Sequence, residues 1–152
     1  MNTPTPPDAA RSGSALGLLF RQTRDAMWAR MEKELAAAGH DLNFSQFITL
    51  KYLATSSAGV TDLARLAYLN PGAMTRLLDK LEARGLLERR TDPNDRRALN
   101  IHLTPAGKAI WSDIEQCGQR VRECALHGMD EATRIQLTRL LEQVRDNLTS
   151  SE

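Results

Sequence analysis

The chain has 152 residues, of which 41% are hydrophobic, and a formal net charge of +1. This composition is sufficient for one domain with a buried core, and the balanced charge by itself indicates no class of partner. No run approaches the ~20 apolar residues that a membrane span requires, and residues 1–14 are rich in Pro, Thr and Ser rather than typical of a secretory signal. These features argue against a membrane or secreted protein and predict a cytoplasmic one with a disordered tail over residues 1–14.

After the tail, the sequence predicts a long helix over residues 15–38, which Gly39 ends. A second helix begins at Asn43, a preferred N-cap, and Gln46 stands where its side chain can bond back to the start of the helix. Both helices carry apolar residues at helical spacing. These are Leu16, Leu19, Phe20, Met27, Met31 and Leu35 in the first helix and Phe47, Leu50 and Leu53 in the second.

A helix-turn-helix is predicted next. Gly59 is a permitted N-cap for its first helix, and Asp62 could bond back to the exposed amides of the first turn. Asn70-Pro71 restarts the chain in helical form, because Asn is a strong N-cap and Pro at the first helical position loses no needed hydrogen bond. Gly85 caps the end of the second helix. The predicted bounds are residues 60–67 and 71–84, and the inward stripe of the second helix is Met74, Leu77, Leu78 and Leu81.

The outer side of the second helix carries the candidate DNA contacts. In a helix-turn-helix this side enters the major groove and faces the base edges. Arg76 could bond a guanine bidentately, a contact worth roughly 1–3 kcal/mol of discrimination, and Thr75 could meet a thymine methyl or a phosphate. Lys80, one turn on, suits a phosphate. Gly72 and Ala73 would allow close approach with little hydrogen-bond readout, so part of the specificity is expected from DNA shape.

A β-hairpin is predicted after the helix-turn-helix. Residues 99–103 alternate apolar and polar side chains, which is typical of a half-buried strand, and residues 86–90 would be its partner. The connection over residues 91–97 is rich in turn formers and ends in Asp95, Arg96 and Arg97. An arginine at a hairpin tip can enter the minor groove, where the negative potential is strongest, and Asp95 would orient the arginines.

Charge is unevenly distributed along the chain. Residues 71–108 hold eight Lys or Arg against five Asp or Glu, whereas residues 109–152 hold five against eight. The positive charge therefore lies where the helix-turn-helix and hairpin would meet DNA.

Two further helices are predicted at the C-terminal end. Thr104-Pro105 starts the first, which runs to about His127, and Asp130 caps the second. Long helices at both ends of a small domain leave apolar faces that one chain does not readily cover, which predicts a two-fold dimer matched to palindromic DNA. The alternative is packing within one chain. The last helix carries a heptad-like seam of Leu137, Leu141, Val144 and Leu148.

Four short motifs lie in and just after the helix-turn-helix and hairpin. They are Met74-Thr75-Arg76-Leu77, Leu81-Glu82-Ala83-Arg84-Gly85-Leu86, Asp95-Arg96-Arg97 and Leu103-Thr104-Pro105-Ala106-Gly107. Together they resemble the MarR family of winged helix-turn-helix regulators, and the resemblance covers residues 42–108. It implies a mainly helical fold with a small β-hairpin wing, in which a DNA-binding lobe over residues 42–104 lies between dimerisation helices over residues 15–41 and 105–152. It also implies that Arg97 is the wing-tip arginine and Asp95 its support.

The resemblance further implies a small aromatic or phenolic ligand in a crevice between the dimerisation helices and the lobe. Trp28 and Met31 lie one turn apart on the first helix, and Lys51 lies one turn after Phe47, so an apolar slot with one cation can form. Such a slot would suit an anionic aromatic molecule. The alternative for each of these residues is core packing.

Three interpretations of the cysteines remain open. Cys117 and Cys124 are seven residues apart on one helix face, about 10 Å along its axis, so they do not bond to each other within the helix. They are buried thiols, a redox pair across the dimer, or, with His127, zinc ligands. The family's peroxide sensors keep their reactive cysteine near the N-terminus, and this chain has none there.

An enzyme is not predicted, since His40, His102 and His127 are scattered and no nucleophile arrangement or Gly-rich phosphate loop accompanies them. The sequence predicts instead a homodimeric transcriptional regulator, most simply a repressor relieved by a small aromatic or phenolic effector, that binds a pseudo-palindromic operator without a cofactor or metal. Alternatives are a redox-responsive regulator acting through Cys117 and Cys124, and a winged-helix protein-interaction module that has lost DNA binding.

Overall fold

A computed structural model describes residues 15–150, apart from the side chains of residues 96–98. Within this range the chain forms six helices and one antiparallel hairpin, which confirms the predicted mainly helical fold with a small wing. The predicted tail over residues 1–14 lies outside the described residues. The elements are α1 (Leu16–Ala37), α2 (Phe44–Leu53), α3 (Val60–Leu66), α4 (Pro71–Ala83), β1 (Leu87–Asp92), β2 (Asp95–Leu103), α5 (Pro105–Ala125) and α6 (Glu131–Thr149).

Side-chain caps begin four of the helices, as predicted. At α2 the Asn43 side chain accepts from the Gln46 amide at 2.8 Å, and the Gln46 side chain accepts from the Asn43 amide at 3.0 Å. At α6 Asp130 accepts from the Thr133 amide at 2.8 Å, and this bonding to Thr133 lowers the pKa of the Asp130 carboxyl. Asn70 and Thr104 likewise cap α4 and α5. Local side-chain chemistry therefore determines where these helices begin.

The start of α3 differs from the prediction. Gly59 is the N-cap and supplies no side-chain bond. Asp62 does not bond back to the first-turn amides as expected. Its carboxylate instead accepts from Arg65 Nη2 at 3.3 Å.

The hairpin is longer and more tightly closed than predicted. β1 continues to Asp92 and β2 begins at Asp95, so two residues connect the strands instead of a loop over residues 91–97. The Asp92 carboxylate accepts from the Asn94 amide at 2.8 Å, which closes the chain early and lets the strands continue to pair. Residues 95–97 are thus the first residues of β2 rather than the end of a loop.

One hydrophobic core joins the lobe to the long helices. The inward stripe predicted for α4 is buried, and it packs with α2, α3 and the base of the hairpin. α1 and α5 continue the same core, since they contact each other extensively and Met31, Leu35 and Ile114 are buried between them. The members with almost no exposed surface are Leu35, Leu50, Leu63, Met74, Leu78, Leu81, Leu87, Ile101, Ile114 and Cys117.

The outer parts of the terminal helices are not covered in one chain. α6 has no buried residue, and its seam residues Leu141 and Leu148 are 44% and 80% exposed. The first half of α1 is equally open, with Leu18 and Leu19 more than half exposed. No helix in residues 15–150 is long and apolar enough to cross a membrane.

The contact between α5 and the start of the hairpin leaves no room for a side chain at Gly107. A Cβ there would overlap the carbonyl oxygen of Leu86, which is backbone and does not yield. We expect Gly107→Ala to lower the free energy of unfolding by about 3 kcal/mol, the upper range for overpacking. Gly118, in the middle of the same helix, meets only the end of the Arg122 side chain at 3.7 Å.

Gly118→Ala is therefore the matched control, and we expect it to raise stability by about 0.5–1 kcal/mol through helix propensity. Thermal unfolding followed by circular dichroism would measure both. Equal melting temperatures for the two variants would contradict the prediction.

Candidate nucleic-acid interface

The outer side of α4 presents polar side chains to solvent along most of the helix. Thr75, Arg76 and Lys80 are exposed, Gly72 is exposed before them, and Ala73 is half-buried. A Cβ built on Gly72 would lie 3.8 Å from Arg76 Nη1, so the guanidinium lies back over the first turn of the helix. Because Gly72 has no side chain, the Arg76 side chain has room to lie along this turn.

Thr75 is more restricted than the sequence suggested. Its hydroxyl donates to the carbonyl of Pro71 at 2.9 Å, one turn earlier in α4. The γ-methyl remains available, which favours a thymine-methyl contact over the phosphate contact also considered.

Two cations of α4 are not neutralised within the part of the chain that the structure describes. Neither Arg76 nor Lys80 has a carboxylate oxygen within 4 Å there. The acidic residues of the same helix, Asp79 and Glu82, are both paired with Arg89 of β1. This arrangement leaves positive charge facing solvent where a phosphate or a base edge could bind.

The wing residues are positioned by the backbone of the hairpin. Asp95 opens β2 opposite Asp92 and is exposed, and Arg96 and Arg97 follow in the same strand. The side chains of both arginines lie outside the described residues. Their contact with the minor groove, and the support of Arg97 by Asp95, stay predictions.

The sequence interpretation missed Arg89 and Tyr68. Arg89 was not singled out in the sequence, yet its side chain is only 22% exposed and bonds two carboxylates of α4. The alternation of β1 contained the signal, since Arg89 is two residues from buried Leu87 and so shares its side of the strand. Tyr68, in the turn between α3 and α4, is 93% exposed with φ +55°, a left-handed conformation that a bulky residue rarely adopts.

The candidate ligand residues are partly brought together. The ring centroids of Trp28 and Phe47 lie 5.6 Å apart, and each ring contacts another aromatic ring that the sequence interpretation did not include. Met31 is buried in the core, whereas Lys51 is exposed on α2 one turn after Phe47. The two additional rings are those of Phe44, 5.1 Å from Trp28, and Trp111, 5.9 Å from Phe47.

An ion pair between α1 and α5 lies beside the buried thiol of Cys117. Arg120 Nε donates to Glu34 Oε2 at 2.7 Å, and this bond lowers the pKa of the Glu34 carboxyl. The Cys117 thiol accepts from Arg120 Nη2 at 3.2 Å and donates to the Glu34 carbonyl at 3.6 Å. The burial of Cys117 agrees with the interpretation of the cysteines as buried thiols, whereas Cys124 is exposed and does not agree with it.

The two cysteines differ in their exposure to solvent. Cys117 is buried and Cys124 is exposed, so a cross-subunit pair involving Cys117 would require the helices to part. Among residues 15–150, apart from side chains 96–98, no three His, Cys, Asp or Glu side chains are grouped so as to hold a metal ion. The zinc alternative with His127 is therefore not supported.

Sequence comparison with known proteins matches about two fifths of the chain. A MarR-family model matches residues 40–98. The multiple antibiotic resistance protein MarR of Salmonella typhimurium is 44% identical over 59 residues, which are 39% of this chain and 39% of that protein. The match thus spans about two fifths of the length of this curated relative. The residues matched by the family model hold α2, the helix-turn-helix and the first part of the hairpin.

Solved structures extend the similarity to the long helices. The transcriptional regulator PA3341 is 32% identical with a TM-score of 0.76, and the alignment covers 88% of this chain and 97% of that one. BpsR of Bordetella bronchiseptica, whose DNA binding is regulated by 6-hydroxynicotinic acid, is 23% identical with a TM-score of 0.72, covering 89% and 96%. At that identity BpsR is evidence of the fold alone. The chain belongs to the MarR family and has the winged-helix fold of its transcriptional regulators.

Proposed function

We propose that this protein is a homodimeric transcriptional regulator that binds DNA in a sequence-specific manner. Regulators of the MarR family bind DNA and act as dimers, and they are not enzymes. The observation that carries the proposal is the exposed pair Arg76 and Lys80 on α4, beside acidic residues that Arg89 neutralises. A transcriptional regulator acts on chromosomal DNA, so we expect the protein in the cytoplasm.

In the proposed complex α4 enters the major groove and the hairpin reaches the flanking minor groove. Arg76 and Thr75 read base edges, Gly72 and Ala73 allow the helix to approach, and Lys80 binds a phosphate. Arg96 and Arg97 enter the minor groove. Two copies related by a two-fold axis would bind half-sites about 34–36 Å apart, one turn of DNA, which requires a pseudo-palindromic operator.

Dimerisation by the terminal helices is part of the proposal. Segments 15–41 and 105–152 are its dimerisation regions, and segment 42–104 is its DNA-binding lobe. The support is the uncovered apolar surface of α1 and α6, where Leu18, Leu140 and Leu148 are each more than half exposed. Exposed apolar area of this extent is typical of a surface that a second protein chain covers.

The proposed regulation is repression relieved by a small aromatic molecule. The aromatic rings of α1, α2 and α5 meet where the long helices join the lobe, and Lys51 could pair with an anionic group there. An effector that prefers one spacing of the two lobes changes DNA affinity by its difference in affinity for the two spacings. Titration of Trp28 and Trp111 fluorescence with aromatic carboxylic acids, 6-hydroxynicotinic acid included, would test this; unchanged fluorescence and DNA affinity across the series would oppose it.

Selection of genomic fragments by the purified protein at physiological salt tests DNA recognition directly. We expect enrichment of a pseudo-palindrome with half-sites about one turn apart. Binding without any enriched sequence, abolished as salt rises, would leave only electrostatic attraction and favour an interaction module instead.

The wing provides a substitution test of the same proposal. Arg97→Ala should weaken binding to the selected duplex and reduce the salt dependence, since one cation leaves the interface. If affinity and salt slope stayed the same, the wing would not contact DNA.

A further inference from the structure

We propose that Arg89 is a positioning residue that holds the wing in a fixed place relative to the DNA-reading helix α4. The inference rests on the proposed DNA-binding function and deepens it. Arg89 would not itself touch a base; it would set the distance between the groove contacts of α4 and those of the hairpin.

The geometry of Arg89 joins two elements with different roles. Its Nη2 donates to Asp79 Oδ1 at 2.7 Å, and its Nη1 donates to Glu82 Oε2. Asp79 and Glu82 are three residues apart on α4, so one planar guanidinium spans neighbouring positions of a single helix face. A lysine, with a single ammonium group, would not reproduce this fork.

The position of Arg89 along the hairpin makes this contact important. Its partner in β2 is Ile101, which is fully buried, whereas Arg90 and Thr91 are exposed and Leu99 is 48% exposed. The hairpin thus leaves the core at about Arg89. Outward of this point, the described side chain of Arg90 bonds Glu88 of its own strand, with Nε 2.7 Å from Oε1, and does not reach α4.

Two consequences for DNA binding follow from this arrangement. First, a wing fixed at its point of departure presents the start of β2 at a constant distance from Arg76, which specificity across two grooves requires. Second, Arg89 neutralises Asp79 and Glu82, which would otherwise repel phosphates close to Lys80. The two effects are separable by substitution.

Hydrogen exchange without DNA tests the mechanical part. We compare Arg89→Gln with Arg90→Gln, an adjacent variant with the same change of charge whose parent side chain pairs only along β1. Amides of residues 90–100 should exchange at least about threefold faster in Arg89→Gln, and those of α3 and α4 should not change. Equal exchange of the hairpin in both variants would overturn the proposal, whatever the protein does with DNA.

Duplex binding tests the functional part, with an operator obtained by genomic selection and a random-sequence duplex as probes. Arg89→Gln should lose about tenfold or more in operator affinity, equivalent to 1.4 kcal/mol, whereas Arg90→Gln should lose less than about threefold. Arg89→Lys keeps the charge, and we expect it to bind random duplex like the parent while still losing operator preference.

A triple variant separates positioning from charge. Asp79→Asn and Glu82→Gln added to Arg89→Gln remove the unpaired carboxylates, and affinity for random duplex should return while the preference for operator does not. Return of the full operator preference would overturn positioning and leave charge compensation. Failure of the parent protein to select or bind any duplex would refute the proposed function, and the exchange experiment would still decide whether Arg89 holds the wing.

Discussion

Arg76→Ala is expected to abolish most of the operator preference of the protein. The guanidinium of Arg76 lies over the first turn of α4, beside Gly72 and away from any described carboxylate, so it is free to bond a base edge. Loss of a bidentate contact to guanine should cost roughly 1–3 kcal/mol, or about 5- to 150-fold in affinity for the operator. Affinity for a random duplex should fall much less. Titration of both duplexes with the parent and the variant protein measures the difference.

Two comparison variants make this result specific. Arg65→Ala removes an exposed cation of α3 that is already paired with Asp62, and we expect little change in operator preference. Lys80→Ala should weaken binding to all sequences alike and reduce the salt slope by about one, as expected for one phosphate contact. An Arg76→Ala variant that weakened both duplexes equally would show that Arg76 binds a phosphate and not a base.

Leu141→Glu is expected to convert the dimer into a monomer and, through that, to abolish tight operator binding. Leu141 lies in the α6 seam, is 44% exposed in one chain, and would be covered by the partner. A buried, unpaired carboxylate in an apolar interface costs several kcal/mol, which is about 10³-fold or more in the dimer dissociation constant. Sedimentation should show a mass change from twice 16.9 kDa to 16.9 kDa.

Gln143→Glu is the matched control for the dimer prediction. It adds the same charge to the same helix at an exposed position on the side opposite Leu141. We expect it to remain dimeric and to bind the operator normally. If Leu141→Glu also remained dimeric, α6 would not form the interface and the apolar seam would need another partner. Circular dichroism confirms that both variants stay folded.

Much of the candidate site could be predicted because its causes are local. Asn70 and Pro71 start α4, the 3.6-residue repeat buries Met74 and Leu78, and the same repeat turns Arg76 and Lys80 outward. These assignments depend on residues three or four positions apart, which the sequence displays directly. The family resemblance also rested on short motifs of neighbouring residues, within residues 42–108, and the comparisons with known proteins confirmed it.

Other parts of the site depend on contacts between distant residues. The sequence shows that residue 89 is an arginine, but which carboxylates it meets depends on how β1 lies against α4. The alternation of β1 contains a signal that Arg89 shares the side of buried Leu87, but it does not identify a partner. In the same way, Trp111 joins Phe47 only because α5 packs beside α2.

Residues close together in the sequence were enough to predict the order of the helices and strands, the side-chain caps of α2, α4, α5 and α6, and the inward and outward faces of α4, because backbone propensity and side-chain period act over one or two turns. Contacts between distant elements appear only in the folded protein: Arg89 bonds Asp79 and Glu82 of α4, and Cys117 is buried while Cys124 is exposed. An ion pair or the burial of one helix face is set by the packing of elements far apart in the chain, and a periodic pattern does not specify the partner.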